Sequence, residues 1–266
     1  MTVCKKELVQ MKEDRLGEEQ INNQGSLMKI IQYNKSSDII VEFQDEYKYK
    51  IHTTYSNYKK GNVKNLYYPE IYNVAMIGSK YPSRINGIQT KEYKAWFQMI
   101  RRCFDKKYHN THKTYEKVTC CKEWLLYENF YEWLHSQENF SKWLSNERWS
   151  LDKDIFIKAN KIYSPDTCCL VPMSVNALFE RKETQRGKYP IGVTRAKNGF
   201  QAQCSNPLNE DLKWIGSYET IENAFNAYKN KKEFYIKQVA QIEYDKGNIS
   251  KKCYEAMMNY RVEITD

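Results

Sequence analysis

The spacing of apolar residues along the chain predicts a change from strands to helices in its first half. Apolar and polar side chains alternate from Met28 and again in segments 39–43 and 48–52, which is typical of short β-strands joined by polar turns. Further on, apolar residues such as Trp96 and Ile100 recur every three or four positions, as on one face of a helix. The pattern therefore predicts a small β module followed by a helical region.

The last third of the chain returns to alternation and then to helical spacing. Asn198-Gly199 is a strong hairpin signal, and residues 200–204 alternate apolar and polar side chains directly after it. Thr220 is placed to cap a helix with Glu222 in its first turn, where the helix dipole favours a carboxylate. The sequence therefore predicts a short antiparallel sheet backed by one long amphipathic helix.

Alternation across this hairpin also predicts which side chains face outward. Phe200, Ala202 and Cys204 should pack against the helix, while Gln201 and Gln203 should face away from it. We expect Trp214 to share the outer face with the two glutamines.

Between these regions the pattern mixes strands, turns and short helices. Residues 149–155 are predicted to form a strand, and residues 168–179 a strand that runs into a helix, while residues 108–115 are predicted to form a loop. The fold class is thus α+β. The predicted divisions are an N-terminal arm, a small β module, a middle module and a C-terminal module, at residues 1–27, 28–88, 89–183 and 189–266.

Composition restricts the class of protein. The 266 residues are 41% apolar and 14% aromatic, which is enough to build packed cores. No apolar run approaches the roughly 18–20 residues that span a bilayer, and the beginning of the sequence lacks the apolar region of a signal peptide. We therefore expect a soluble, cytoplasmic protein with no membrane partner.

Positive charge is concentrated in one stretch. Net charge is +9, yet residues 48–113 alone contain 14 Lys and Arg against three acidic residues, a local charge of +11. Aromatic residues are interleaved with these cations, and the combination favours nucleic-acid binding, since cations attract phosphates and aromatic rings stack on bases. The alternative is a solvated lysine-rich surface over a tyrosine-rich core. The backbone-contact candidates in this stretch are Lys59, Lys60, Arg101, Arg102, Lys106 and Lys107.

The cysteines allow a metal site without requiring one. The chain has eight cysteines and no Cys-x-x-Cys pair. The nearest zinc-ligand candidates are Cys103, His109, His112, Cys121 and Cys168. The alternative is that these thiols are buried as small apolar side chains.

The C-terminal module resembles a known DNA-binding domain. Gly192-Val193, Phe200, Ala202 and the segments 214–220 and 222–228 are similar to the Apetala/ethylene-response-factor type, which also occurs in mobile-element endonucleases. The resemblance implies a three-stranded sheet that lies in the major groove of double-stranded DNA, backed by the helix. It also implies that Trp214 contacts DNA, and it suggests the further contacts Thr194, Arg195, Lys197, Gln201 and Gln203. The alternative is that Trp214 only caps the sheet.

The middle module resembles the HNH-type nuclease proteins of phages and prophages. The likeness is carried by Trp96, Arg102-Cys103-Phe104, Tyr115 and the segments 121–124, 151–155 and 160–168. An active HNH site implies a histidine base and a divalent ion such as Mg²⁺. Here Lys153 stands at the histidine position and Thr167 at that of the helix asparagine, so Asp152 and Lys153 are the remaining catalytic candidates. His109 or His112 could supply a base from elsewhere.

Three functional hypotheses follow. The first is a DNA-binding protein of phage or mobile-element origin, derived from an HNH homing endonuclease, that has lost the catalytic histidine and acts in the cytoplasm of a bacterial host. The second is an active Mg²⁺-dependent HNH endonuclease. The third is a phage-encoded regulator or anti-defence inhibitor that binds a host protein or a protein–nucleic acid complex. Whether DNA or RNA is bound stays open.

Overall fold

A computed structural model describes residues 15–179, 188–208 and 212–266. It has several small antiparallel sheets and helices, so the predicted α+β class is confirmed. The chain divides into two compact units, one of residues 1–116 and 120–132, the other of residues 117–119 and 133–266. The finer divisions drawn from the sequence stay predictions.

The first unit begins with a four-stranded antiparallel sheet. Its strands follow chain order and are followed by a short helix: β1 (Glu19–Ile21), β2 (Leu27–Lys35), β3 (Asp38–Phe43), β4 (Lys50–Thr53) and α1 (Tyr55–Lys59). Met28, Ile30 and Val41 of the sheet are fully buried, as the alternating pattern predicts, and they share a core with the buried Tyr58 of α1. Within the predicted N-terminal arm, the segment β1 pairs with β2 as an edge strand. Residues 1–14 lie outside the described residues.

Short elements built around one long helix complete the first unit. They are β5 (Arg84–Ile85), β6 (Ile88–Gln89), α2 (Lys91–Phe104), α3 (Lys106–Thr111), a 3-10 turn (Lys113–Tyr115), a second 3-10 turn (Lys122–Leu125) and the start of α4 (Tyr127–His135). The loop predicted for residues 108–115 is wrong. The Asp105 carboxylate accepts hydrogen bonds from the backbone N–H groups of Lys107 and Tyr108, and thereby caps α3.

The second unit contains a hairpin that joins distant segments. Its elements are the start of β7 (Thr119–Cys120), α5 (Phe140–Ser145), β8 (Trp149–Asp152), β9 (Ile162–Tyr163), β10 (Cys169–Pro172) and α6 (Met173–Asn176), and β8 pairs with β10 antiparallel. The predicted strand 149–155 ends early, at Asp152. Its carboxylate accepts the backbone N–H groups of Asp154 and Ile155, which turns the chain away from the sheet.

The C-terminal part has the predicted sheet and helix. Strands β11 (Val193–Ala196), β12 (Gly199–Ser205) and β13 (Leu212–Tyr218) form an antiparallel sheet, followed by α7 (Ile221–Asp245) and α8 (Lys251–Met258). Thr220 caps α7 by accepting the Asn223 N–H at 3.2 Å, as predicted. Gly192 has φ +76°, and a Cβ there would collide with the Tyr228 ring, so the helix packs on the sheet only because this position is glycine.

Helix α7 contributes to two adjacent cores. Its first half places Ala224, Phe225 and Tyr228 against Ala202 and Cys204 of the sheet. Its second half contributes Ile236, Val239 and Ala240 to the core that contains β10, α6 and α8. The three-stranded sheet and the β8–β10 hairpin are therefore connected through one continuous helix.

Candidate nucleic-acid interface

The outer face of the C-terminal sheet carries a row of polar side chains. The register pairs Gln201 with Thr194 on one side and with Ser217 on the other. Thr194 and Ser217 are exposed and Gln201 is half-buried, while their strand neighbours Val193 and Ala202 are buried against α7. The predicted inward and outward sets are thus the observed ones. Ser217 was missed by the sequence reasoning, although alternation back from Tyr218 would have identified it.

A β-bulge brings Trp214 to the same face. Gln201 pairs with Ser217, but the pairing shifts between Ala202 and Gln203, so that Gln203 lies opposite Trp214. The extra residue, Ile215, packs toward the helix with the apolar core. Trp214 is consequently 65% exposed, beside Gln203, and its indole is available to a partner.

Arg195 and Lys197, the two predicted DNA contacts near the hairpin turn, occupy different positions on the sheet. Lys197 lies exposed in the turn between β11 and β12. Arg195 pairs with Phe200, which belongs to the helix-facing set, and its guanidinium lies 4.8 Å from the centre of that ring. Arg195 is therefore not in the Thr194–Gln201 row, although its side chain is exposed at the end of the sheet.

Four of the six basic residues predicted to contact the DNA backbone lie on the consecutive helices α2 and α3 of the first unit. Arg101 and Arg102 end α2, and Lys106 and Lys107 begin α3. The Arg101 guanidinium lies 4.6 Å from the centre of the Tyr108 ring, and that of Arg102 lies 5.5 Å from the centre of the Tyr115 ring. We call the four basic residues and the two tyrosines together the α2–α3 basic surface; its members are Arg101, Arg102, Lys106, Lys107, Tyr108 and Tyr115. Its arrangement combines exposed ammonium groups with aromatic rings that support guanidinium groups.

The remaining pair, Lys59 and Lys60, lies at the end of α1. Lys59 forms an ion pair with Glu18 at 3.0 Å, and this pairing raises the pKa of Lys59. Lys60 is exposed, and no ion-pair partner for it lies within residues 15–179, 188–208 and 212–266. Lys60 is thus more readily available to a phosphate than Lys59.

Asp152, a catalytic candidate, is buried at the end of β8. One carboxylate oxygen accepts the N–H groups of Asp154 at 2.8 Å and Ile155 at 2.9 Å. Burial raises the pKa of Asp152 to about 6, an effect that these two hydrogen bonds only partly offset. The carboxylate therefore stabilises the local turn, although its burial disfavours the charged form.

Lys153 is committed to partners inside the same loop. Its ammonium donates to Asp154 at 2.6 Å and to the Asn160 carbonyl at 2.9 Å, and the residue is buried. Asn160 in turn donates its amide to the Lys153 carbonyl at 2.9 Å and to the Ile162 carbonyl at 2.6 Å. Thr167, at the position of the family's helix asparagine, donates to the Ile162 carbonyl at 2.7 Å. Sequence reasoning missed this closed hydrogen-bond network, since only the fold brings Asn160 to Lys153.

The zinc candidates are engaged elsewhere. Among the residues that the structure describes, no three His, Cys, Asp or Glu side chains form a group that could hold a metal ion. Burial raises the pKa of Cys121 to about 11 and that of Cys168 to about 12, as expected for thiols that pack as small apolar side chains. His109 donates from Nε2 to the Arg102 carbonyl at 2.8 Å, and the His112 ring stacks on Tyr108.

Asp152→Asn should stabilise the protein at neutral pH. The folded-state pKa of Asp152 lies above the ordinary value of 3.8, so the native state binds the proton more tightly, and stability falls as pH rises from about 4 to about 6. The amide keeps an acceptor oxygen and carries no charge, so we expect a gain of about 1–3 kcal/mol at pH 7.5 that shrinks toward pH 4.5. Urea unfolding at both pH values measures this difference. The exposed Asp166→Asn variant should show none, and an equal effect of Asp152→Asn at both pH values would contradict the interpretation.

No helix in the described part of the chain is long and apolar enough to cross a membrane.

A short segment of the chain is similar to a known protein. No protein-family model matches the chain, and no solved structure matches it. A segment of 56 residues is 45% identical to "Ethylene-responsive transcription factor ERF116" of Arabidopsis thaliana, covering 21% of this chain and 20% of that protein. The chain thus spans about a fifth of the length of this relative. The Apetala-type part of the resemblance is therefore confirmed as a similarity over one short segment, whereas the HNH-type part and the phage origin stay predictions.

Proposed function

We propose that this protein binds double-stranded DNA without cutting it, and that it descends from an HNH homing endonuclease of a phage or another mobile element. The observation that carries this proposal is the exposed outer face of the β11–β13 sheet, with Thr194, Gln201, Gln203, Ser217 and Trp214. A three-stranded sheet of this kind can enter the major groove, which is about 12 Å wide. The similarity to a plant transcription factor supports the same interpretation.

The chemistry of this face suits base edges better than phosphates. A glutamine side chain can pair with adenine through two hydrogen bonds, and an indole can pack on a thymine methyl group or a sugar. Thr194 and Ser217 supply hydroxyl groups that donate and accept. Charged groups lie at the end of the sheet, at Arg195 and Lys197. We therefore assign sequence discrimination to Gln201, Gln203 and Trp214.

Contacts to the DNA backbone are assigned to Lys60 and to the basic residues of the α2–α3 basic surface, of which Arg101 also forms an ion pair with Asp105 at 3.5 Å. Lys106 and Lys107 are exposed, and no ion-pair partner for either lies within the described ranges. Lys153 is left out of this assignment because its ammonium is buried and already paired. Phosphate contacts of this kind fix register and orientation and carry no sequence information.

The residues at the end of β8 do not fit a catalytic Mg²⁺ site. Asp152 is buried with one oxygen bound to two backbone N–H groups, and the next residue is a cation that neutralises Asp154. A divalent ion prefers several carboxylate or carbonyl oxygens that face it. Lys153 is also poorly placed to act as a base, because its buried side-chain nitrogen already donates hydrogen bonds to Asp154 and to the Asn160 carbonyl. These residues therefore support no hydrolytic step.

A binding titration of the full chain tests the proposal. Binding to a mixed-sequence duplex should weaken steeply as salt rises, with log K falling by about 0.9 per phosphate contact for each unit of log salt. Fluorescence anisotropy at several salt concentrations measures this slope. A matched RNA duplex should compete poorly, because its major groove is too narrow for a sheet. Salt-independent binding, or preference for RNA, would count against the proposal.

The same samples test the nuclease alternative. With Mg²⁺ or Mn²⁺ the full chain should leave supercoiled plasmid intact, as judged on an agarose gel. Metal-dependent nicking that disappears in Asp152→Ala would overturn the non-cleaving part of the proposal and leave the DNA-binding part standing.

A further inference from the structure

The hairpin β5–β6 presents two isoleucines at its tip. Ile85 is 58% exposed and Ile88 is 70% exposed, and the two residues are cross-strand partners. The turn between them is Asn86-Gly87, with φ of 50° and 78°, the pair of left-handed conformations that a two-residue hairpin prefers. A Cβ built on Gly87 would meet no atom within 4 Å among the described residues. The tip therefore projects away from the described part of the first unit.

The base of the hairpin is firmly held. Thr90 donates its N–H to the Ser83 carbonyl at 3.1 Å and caps α2 by accepting the Tyr93 N–H at 3.2 Å. Beside it, the Tyr81 ring stacks on Tyr131 with centroids 4.0 Å apart. The two isoleucines are thus held in position before any partner arrives, which lowers the entropic cost of binding.

The surroundings of this apolar tip are basic. Residues 71–104 contain six Lys and Arg and one acidic residue, Glu92, which is buried. Arg84 and Lys94 are exposed, and the Arg84 guanidinium uses one hydrogen bond, of 3.0 Å, on the Gly87 carbonyl. Apolar side chains framed by cations match a polyanion with an apolar interior. The stacked base pairs of a duplex have that character, and isoleucine is among the side chains that insert between base steps.

We propose that Ile85 and Ile88 form a wedge that inserts at a base step of duplex DNA through the minor groove, with Arg84 on the neighbouring phosphates. The proposal rests on the DNA-binding function proposed above and adds a consequence to it. Opening a base step from the minor groove kinks the duplex toward the major groove. Binding should therefore bend the DNA.

Energy transfer across a labelled duplex tests the wedge. The probe is a mixed-sequence duplex of about 30 base pairs with a donor and an acceptor dye at its two ends. The full chain should raise the transfer efficiency on binding. The double variant Ile85→Ser, Ile88→Ser should lose this rise and bind about tenfold more weakly, because serine cannot replace the stacking surface that the wedge covers. Its melting temperature should stay unchanged, since both side chains are exposed.

Ile21→Ser is the matched control, because Ile21 is 64% exposed on β1 of the same unit. It should keep both affinity and bending. Tight binding without bending, or bending that the double variant retains, would overturn the wedge while leaving the proposed function intact. No binding of the full chain to any duplex would overturn the proposed function itself. If the full chain self-associates, and the double variant still bends DNA but no longer self-associates, the tip would instead be assigned to contact with a second copy of this chain.

Discussion

Reversing the charge of Lys60, Lys106 and Lys107 to Glu should weaken binding to every DNA duplex by about 100-fold at low salt, irrespective of sequence. All three ammonium groups are exposed, and the described residues provide no ion-pair partner for any of them. If each contacts one phosphate, the salt slope should fall by about 2.7, at about 0.9 per contact. Lys59 is excluded because its reversal would place a second carboxylate beside Glu18.

The control for this variant carries the same change in net charge. Lys35, Lys117 and Lys122 are exposed lysines outside the basic stretch for which the described residues provide no ion-pair partner, and the triple reversal to Glu should reduce affinity much less. Anisotropy titrations of both variants on two unrelated duplexes provide the comparison. Equal losses in the two variants would show that net charge alone governs binding, and would remove the α2–α3 basic surface from the proposed interface.

Local signals in the sequence were sufficient to predict the hairpin and the long helix of the C-terminal module. Asn198-Gly199 predicted the hairpin, and Thr220 predicted the start of α7, because turn and cap preferences depend on neighbouring backbone groups. The exposure of Trp214 was also predicted, yet it depends on the bulge at Ile215. If side chains alternated strictly from Ser217 back to Trp214, the indole of Trp214 would face α7. The bulge is favoured by packing of Ile215 toward α7, which no local pattern reveals.

The errors in the predicted elements arose at polar side chains that bond to nearby backbone N–H groups, because the hydrophobic pattern of the sequence does not reveal such hydrogen bonds. The carboxylates of Asp105 and Asp152 each accept two backbone N–H groups, one starting a helix and the other ending a strand. Strand β1 was not predicted, because a three-residue edge strand has too few positions to show alternation.

The burial of Lys153 shows where motif comparison is insufficient. A lysine in place of a catalytic histidine would by itself suggest an exposed cation, because lysine side chains are mostly exposed. The fold instead surrounds this ammonium with Asp154, Asn160 and Tyr163, whose ring centre lies 5.9 Å away. Two of these partners lie seven or more residues further along the chain. The role of a charged side chain therefore depends on contacts that the motif does not contain.

The sharing of α7 between two cores determines how the C-terminal sheet must be tested. A fragment beginning at residue 189 would keep α8 but lose β10 and α6, which in the full chain also cover Ile236, Val239 and Ala240. Loss of binding by such a fragment could then reflect unfolding alone. The substitutions that test base contact by this sheet should therefore be made in the full chain.

In the full chain, Trp214→Ala should lower affinity for the preferred duplex by about 10- to 100-fold and leave the melting temperature unchanged. The indole is 65% exposed and lies opposite Gln203, so its removal leaves no cavity, while a partner in the groove loses an apolar contact. Gln203→Ala should reduce discrimination between sequences more than affinity, because a bidentate pair to adenine carries sequence information.

Phe234→Ala is the matched control for this pair, since Phe234 is a 49% exposed aromatic residue on α7 of the same module. It should leave both affinity and melting temperature unchanged. The alternative is that Trp214 caps the sheet as a packing element, in which case Trp214→Ala should lower the melting temperature and preserve affinity. Parallel anisotropy and thermal-melting measurements separate the two, because an exposed side chain that reads DNA affects binding alone, whereas a packing side chain affects stability first.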